Sequence, residues 1–476
     1  MSANVNEDSP ADECRHERGH ITDSRFFGNR YATPASRRIF CDTCRKQRWL
    51  DVETALALAQ AELGIIPQET ADCIAASAHL ELIDLDAVQA EIDRSGHSLV
   101  GLLRVLERAC GHDGAGQFIH YGATTQDIQD TAQSLEMRDV LDELQPLLED
   151  ITVRLTDLAE QHGETVALGR THAQPALPIG FGLKLASWVD ELLRHGERID
   201  QVRERVLVAQ LFGGSGTMAG FGDQGPELLE RFAARLGLSV PTVGWHVARD
   251  RVVEFVSLLA MVTGTLARIA DEIRILSRPE FGEVEEAWRP GKVGSSTMPH
   301  KRNPERCEQV VVMARLTAAQ VGAALAAMIG DHERDSRSLR IEWACVPDTA
   351  HYCLAACEMV LESVTGLTVH TERLRRNVEV VTDQVMSERL MMVLGEQLGK
   401  QRAHEIVYEL TQEAYQRGVP VRQLLAQRAE LDGSLSPAAL EAVFDPTSYL
   451  GSSAVLTARV VSESRKRLGT ETHQPA

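Results

Sequence analysis

VVEFVSLLAMVTGTLARIADEIRIL, residues 252–276, carries apolar side chains on nearly every face of a long helix. A helix that is hydrophobic all round is a buried one, so this segment predicts a core built from helices. Arg268, Asp271 and Glu272 interrupt it too often for a bilayer. No uninterrupted apolar run of about 18 residues occurs anywhere, and no transmembrane helix is predicted.

The same pattern extends in both directions. QRWLDVETALALAQAELG (47–64) sets Trp49, Leu50, Val52, Ala55, Leu56 and Ala59 at helical spacing, then stops at Gly64 with Pro67 just beyond. Further long helices are predicted over about 132–162, 181–211, 305–330 and 347–366. Long helices joined by short breaks point to an all-α elongated bundle. Aromatic residues at 5% suit aliphatic helix packing better than a β-rich core. The expected division is a disordered tail (1–20), an N-terminal helical domain (21–112), a central long-helix bundle (113–366) and a C-terminal helical domain (367–476).

Composition narrows the function. A net charge of −20 over 476 residues disfavours nucleic acid or an anionic membrane as the partner, since both select basic surfaces. An anionic ligand would need local arginines to overcome that field. Nine cysteines show no disulfide-framework spacing. Cys41 and Cys44 form a lone CxxC with no second ligand pair near it, so coincidence is favoured and no metal is predicted. His16 and His20 fall in a polar, acidic leader without a signal-peptide core, which reads as a solvated tail. A cytoplasmic location is expected. The ending GTETHQPA (469–476) reads as frayed, and no internal repeat occurs.

Three polar islands break the helical pattern. HYGATTQDIQDTA (120–132) places Thr124, Thr125 and Gln126 just before a helix, where free backbone N–H groups favour anions; an ordinary N-cap is the plain alternative. GRTHAQPALP (169–178) holds His172 between a glycine and two prolines, a constrained backbone able to aim the ring; a structural histidine is the plain alternative. GSSTMPHKRNP (294–304) combines glycine, two hydroxyls and Lys301. A serine serves as a base only when backbone N–H groups or a cation stabilise its alkoxide, and this loop has the means for both. No nucleophile elbow, Walker loop or dinucleotide fingerprint is present.

In this order and spacing the three islands resemble the signature regions of the fumarase/aspartase superfamily, and GSSTMPHKRNP matches its signature nearly letter for letter. RYATPASRRIF (30–40) and RWLDVETALALAQAELGIIP (48–67) resemble the N-terminal domain of the adenylosuccinate lyase branch; SERLMMVLGEQLGKQRAHEIV (387–407) resembles its C-terminal domain. The resemblance implies a carbon–nitrogen lyase that removes a proton beside a carboxylate and expels a leaving group from the next carbon, with fumarate the usual product. Stabilising the aci-carboxylate is then the largest catalytic term. It implies Ser295 as the general base, Lys301 and Asn303 as the carboxylate clamp, and His172 as the general acid or its orienter. Thr124, Thr125 and Gln126 would bind substrate from another subunit, with Thr171 beside them and Met298 and His97 also in contact. It further implies a homotetramer whose active sites each draw on three chains, a mobile Ser295 loop and no cofactor.

Within HERDSRSLRIEWACVPD (332–348), Trp343 stands where adenylosuccinate lyases carry a phosphate-binding arginine. That run, with WHVARDR (245–251), is more similar to 3-carboxy-cis,cis-muconate cycloisomerases. Arg194, Arg337 and Arg340 are candidates to meet a small dicarboxylate, or plain solvated charges. A small substituted succinate is the expected substrate, with nitrosuccinate as candidate. Cycloisomerisation is the alternative and adenylosuccinate cleavage the third reading. A non-catalytic scaffold is disfavoured, because it has no need of Ser295, His172, Lys301 and Asn303 together.

Overall fold

The computed structural model describes residues 19–111, 114–288, 291, 293–428, 431 and 435–470. Helices dominate it, as the all-α expectation requires. His16 and the last residues of the frayed end lie outside the described residues. His20, expected in a solvated tail, is exposed, and its Nδ1 lies 2.8 Å from the Thr22 hydroxyl, capping a short 3-10 turn over Ile21–Asp23.

The described chain clusters into two compact units, each assembled from separated segments. The first takes residues up to 147, then 196–267 and 309–358; the second takes 148–195, 268–308 and 359 onward. The helices Thr125–Gln161, Phe181–Val206, Asp250–Leu276, Glu305–Ala327 and Ser336–Thr365 contribute residues to both. This is a division by contact; the consecutive three-region division remains a proposal.

In the first unit, the Asp42–Glu62 helix buries Trp49, Leu50, Val52, Ala55, Leu56 and Ala59, the face that its periodicity predicts. They pack in one core with Leu99, Leu102, Leu106 and Phe232. Fully burying side chains of this size stabilises a fold by about 1.5–3 kcal/mol each, before conformational entropy is set against it. In the second unit, Leu390, Leu394, Ile406, Leu410 and Leu424 form a separate core.

Helix boundaries depart from the sequence expectation at informative places. The helix expected from 132 starts at Thr125, because the Asp127 carboxylate accepts the Thr124 N–H at 2.9 Å and starts the helix seven residues earlier. The helix expected to reach 211 stops at Val206, and Ala209 N–H pairs instead with the Ser239 carbonyl at 3.0 Å. Ser336–Thr365 carries Pro347 inside it, not at its start. Cys345, Val346 and Ala350 beside that proline are at most 1% exposed, and this packing outweighs the missing N–H. Strands are scarce but present: β1 (Val166–Thr171) and β2 (Gln174–Gly180) form an antiparallel hairpin, and β3 (Val284–Glu285) pairs with β4 (Thr368–Val369).

By length and hydropathy alone, two described helices, Asp250–Leu276 and Glu305–Ala327, could cross a membrane, which the run-length criterion did not flag. The most apolar stretch of the first is 61% buried, the position of a core helix.

Candidate active site

Polar groups converge in the first unit on a guanidinium. Arg249 is fully buried and donates to both oxygens of Asp130 at 2.9 Å and to Glu342 at 2.7 Å. Gln133 donates to the same Glu342 at 2.8 Å, and the Trp245 ring lies 4.9 Å from the Arg249 guanidinium carbon. WHVARDR is therefore the start of a buried ion network that ties the Thr125–Gln161 helix to the Ser336–Thr365 helix. Gln126 hangs from it, donating to Asp130 at 3.0 Å and to the His246 carbonyl at 2.9 Å.

Asp127 holds the next layer. One of its oxygens meets His246 Nε2 and the Phe212 N–H at 3.0 Å; the other accepts the N–H groups of Thr124 and Gly213 at 2.9 Å. Burial alone would raise this carboxyl, but the bonds from His246, Phe212 and Thr124 outweigh it and hold it below the usual carboxylate range. Thr124 is thus both part of an N-cap and fixed in place.

Above this layer the structure brings Thr124, Thr125 and Gln126 together around a residue that the sequence reading did not single out. Arg334 donates Nε to Gln126 Oε1 at 3.2 Å, Nη2 to the Thr125 hydroxyl at 3.1 Å and Nη1 to the Thr124 hydroxyl. An arginine that occupies the acceptor side of two hydroxyls leaves their hydrogens free for an anion, so cation and donors present one face.

Histidines surround this cradle. His120 has a φ of 60° and its Nδ1 lies 2.7 Å from Glu53 Oε1. Burial pulls the ring down, and the Glu53 carboxylate more than offsets it, so His120 titrates above its ordinary value. His97 sits at the N-cap of the Ser98–Ala109 helix, with a buried Nδ1 that meets no hydrogen-bond partner. Burial first, then Arg334, Arg340 and His120, lower its pKa. Arg340 is exposed and makes no hydrogen bond or ion pair among the described residues. Arg337 does not join the cradle: it pairs with Asp335 at 2.9 Å and Asp331 at 2.5 Å.

The second unit carries the remaining residues. Ser295 Oγ accepts the N–H of Met298 at 3.0 Å and of Thr297 at 3.4 Å. Asn303 Nδ2 donates to the Gly294 carbonyl at 2.6 Å and closes the loop at its base, while Lys301 and Met298 are exposed on it. Gly294 is needed here: a Cβ would overlap the Lys301 carbonyl oxygen and stand 2.9 Å from the Trp288 ring. Gly294→Ala is expected to displace the loop and lower kcat about 100-fold, with the melting temperature unchanged. Steady-state rates beside a thermal melt check it.

GRTHAQPALP folds as the β1–β2 hairpin. His172 and Ala173 form its two-residue turn with φ of 51° and 62°, a conformation that costs non-glycine residues about 1–3 kcal/mol. The strain is braced from behind, where Arg170 pairs with Glu283 at 2.5 and 3.0 Å and stacks 4.6 Å from the Phe281 ring. Thr171 ends β1, and both it and His172 are exposed. Arg194 pairs with Asp190 one turn away on an exposed helix face. Cys41 and Cys44 are free thiols at the start of the Asp42–Glu62 helix, where the Cys44 N–H points to Cys41 Sγ at 3.5 Å. Among the described residues no group of three His, Cys, Asp or Glu side chains is placed to hold a metal ion.

The first unit thus presents an arginine-filled threonine cradle, and the second, taken by itself, a serine hydroxyl held by backbone N–H groups. Residues 29–321 match the family described as Lyase, and residues 383–460 match Adenylosuccinate lyase C-terminus. Over 436 residues the chain is 39% identical to N-acetyl-S-(2-succino)cysteine lyase of Dickeya dadantii, covering 91% of this chain and 95% of that one. It is 38% identical over 443 residues to adenylosuccinate lyase of Methanothermobacter thermautotrophicus, covering 92% and 98%. The crystal structure of 3-carboxy-cis,cis-muconate lactonizing enzyme from Pseudomonas putida superposes with a TM-score of 0.87 at 35% identity, covering 94% and 100%. The chain belongs to the fumarase/aspartase superfamily of lyases.

Proposed function

We propose that the protein eliminates a leaving group from C2 of a small substituted succinate and releases fumarate. The observation that carries this reading is the pair of N–H donors on Ser295 Oγ, from Met298 at 3.0 Å and Thr297 at 3.4 Å. Such donors stabilise an alkoxide able to take a proton from C3. The electron pair moves onto the adjoining carboxylate, where Lys301 and Asn303 hold the developing charge. It then returns to form C2=C3 as the bond to the leaving group breaks. His172 protonates the departing group or positions what does. Thr124, Thr125 and Gln126, with Arg334, bind a substrate carboxylate from another subunit of the assembly, and the roles of Thr171, Met298, His97, Arg194, Arg337 and Arg340 in substrate contact remain proposals.

Likeness to a succinocysteine lyase favours a thiolate leaving group over the nitrite of nitrosuccinate. A thiol ionises near pH 8.5, so its thiolate departs with little help from an acid. An ultraviolet assay of fumarate release from N-acetyl-S-(2-succino)cysteine, nitrosuccinate, aspartate and adenylosuccinate tests this; fumarate from the first alone supports it. Cycloisomerisation is kept as a second reading because of Trp343 and the superposition on the lactonizing enzyme. Consumption of 3-carboxymuconate, with every succinate inert, selects that reading instead.

Arg334→Ala is expected to raise KM about 100-fold with a smaller change in kcat, since one charge-assisted anion contact contributes about 1.5–3 kcal/mol. We also propose a homotetramer. Met261, Val312 and Leu325, 40–51% exposed on helices of the first unit, and Ile329, 79% exposed just past the end of the Glu305–Ala327 helix, are the apolar groups such an assembly would cover. Light scattering is expected to give four times the 52.4 kDa chain mass.

A further inference from the structure

We propose that Glu53 is a positioning residue, which holds the His120 ring in place beside the threonine–arginine cradle. This inference rests on the function proposed above for that cradle.

Glu53 lies on the apolar face of the Asp42–Glu62 helix and is 2% exposed. One carboxylate oxygen meets His120 Nδ1 at 2.7 Å; the other is buried with no hydrogen-bond partner. A buried carboxylate with one partner is costly unless that partner carries a compensating charge. The only charge within hydrogen-bonding reach of Glu53 among the described residues is a protonated His120. In turn, His120 adopts a φ of 60°, which a β-carbon disfavours and which needs an outside contact to persist. Each residue therefore accounts for the other's anomaly.

The charged groups around His120 come from four elements. Glu53 reaches it from the Asp42–Glu62 helix and Asp127 from the Thr125–Gln161 helix, and both favour its cation. Arg334, from the turn before the Ser336–Thr365 helix, opposes the cation, and His97, at the start of the Ser98–Ala109 helix, has its own pKa lowered in part by His120. Asp127 is already satisfied by four donors. The balance consequently turns on Glu53.

A cationic His120 adds to Arg334 in attracting a dicarboxylate, and its raised pKa extends that attraction to higher pH. The sign follows. Glu53→Gln removes the partner carboxylate and leaves burial and Arg334 opposed by Asp127 alone, so His120 loses its proton at lower pH. The basic limb of kcat/KM then moves to lower pH by at least one unit, which is tenfold in kcat/KM on that limb. At acidic pH, where the ring is protonated in both proteins, the two converge.

The test pairs an imidazole NMR titration of the full-length protein with kcat/KM pH profiles for wild type, Glu53→Gln and Glu53→Asp. Expected are a lowered His120 titration and a matching displacement of the basic limb in Glu53→Gln, with partial return in Glu53→Asp. An unchanged His120 titration overturns the assignment, and so does a loss of kcat/KM equal at every pH. Should Glu53→Gln fail to fold, Glu53→Asp carries the test: a lengthened contact must lower the His120 titration, and an unaltered one overturns the proposal. A displaced titration in a protein inert towards every succinate upholds the Glu53–His120 pairing and overturns the substrate reading alone.

Discussion

Ser295→Ala is expected to lower kcat by about 10²–10⁴-fold while leaving KM within a few-fold and the melting temperature unchanged. The substitution deletes the one atom proposed to take the C3 proton, and positioned general bases contribute about 10²–10⁴-fold. Binding depends on other groups, so KM is spared. Stability is spared because the N–H groups that Oγ accepts among the described residues, those of Thr297 and Met298, belong to exposed residues where water can replace it. The rates of wild type and variant, read beside their thermal melts, decide the matter. A variant that retains near-normal kcat would remove Ser295 from the base role.

The second large effect is on stability. Arg249→Met leaves Asp130 and Glu342 buried within one network without their shared cation. Removing one partner of a buried ion pair costs about 3–5 kcal/mol, since the other charge stays uncompensated. Burial already lifts the Glu342 carboxyl above its ordinary range against the pull of Arg249. Without the arginine that rise is larger. A carboxyl with a raised folded pKa binds protons more tightly when folded, so its stabilisation is present at low pH and lost as pH rises through the folded value. The melting-temperature deficit of Arg249→Met is therefore expected to be widest at pH 8 and narrower at pH 5. Adding Asp130→Asn and Glu342→Gln to the same variant is expected to restore most of it. Gln126 hangs from Asp130, so the single variant also loses cradle geometry.

Much of the fold was legible because helical periodicity is local. Val252–Leu276 and the buried face around Leu50 and Leu56 follow from spacing alone. The hairpin was not, since Pro175 and Pro178 weaken any strand pattern, and what stabilises it is distant: Arg170 to Glu283 spans 113 residues of sequence. The same limit hid Arg334. In His-Glu-Arg-Asp it has the look of a solvated loop charge, and its partners Thr124 and Thr125 lie about 210 positions away. Which arginine reaches the cradle is settled locally: Asp331 and Asp335 retain Arg337, and Arg334 is left to reach Thr124 and Thr125. Glu53 did leave a signal, a carboxylate among Trp49, Leu50, Val52 and Leu56 on the buried side of its helix. Such a residue asks for a partner, and sequence alone does not say that the partner is His120.

The most direct test of the central claim is deuterium incorporation during the reverse reaction. Fumarate and N-acetylcysteine are incubated with wild type and with Ser295→Ala in D2O, and the adduct is read by proton NMR. The account predicts that wild type forms the succinate with one deuterium, at C3 and on a single face, and that Ser295→Ala does not exceed the uncatalysed background. Catalysed addition by Ser295→Ala at the wild-type rate, or deuterium placed equally on both faces, would contradict it.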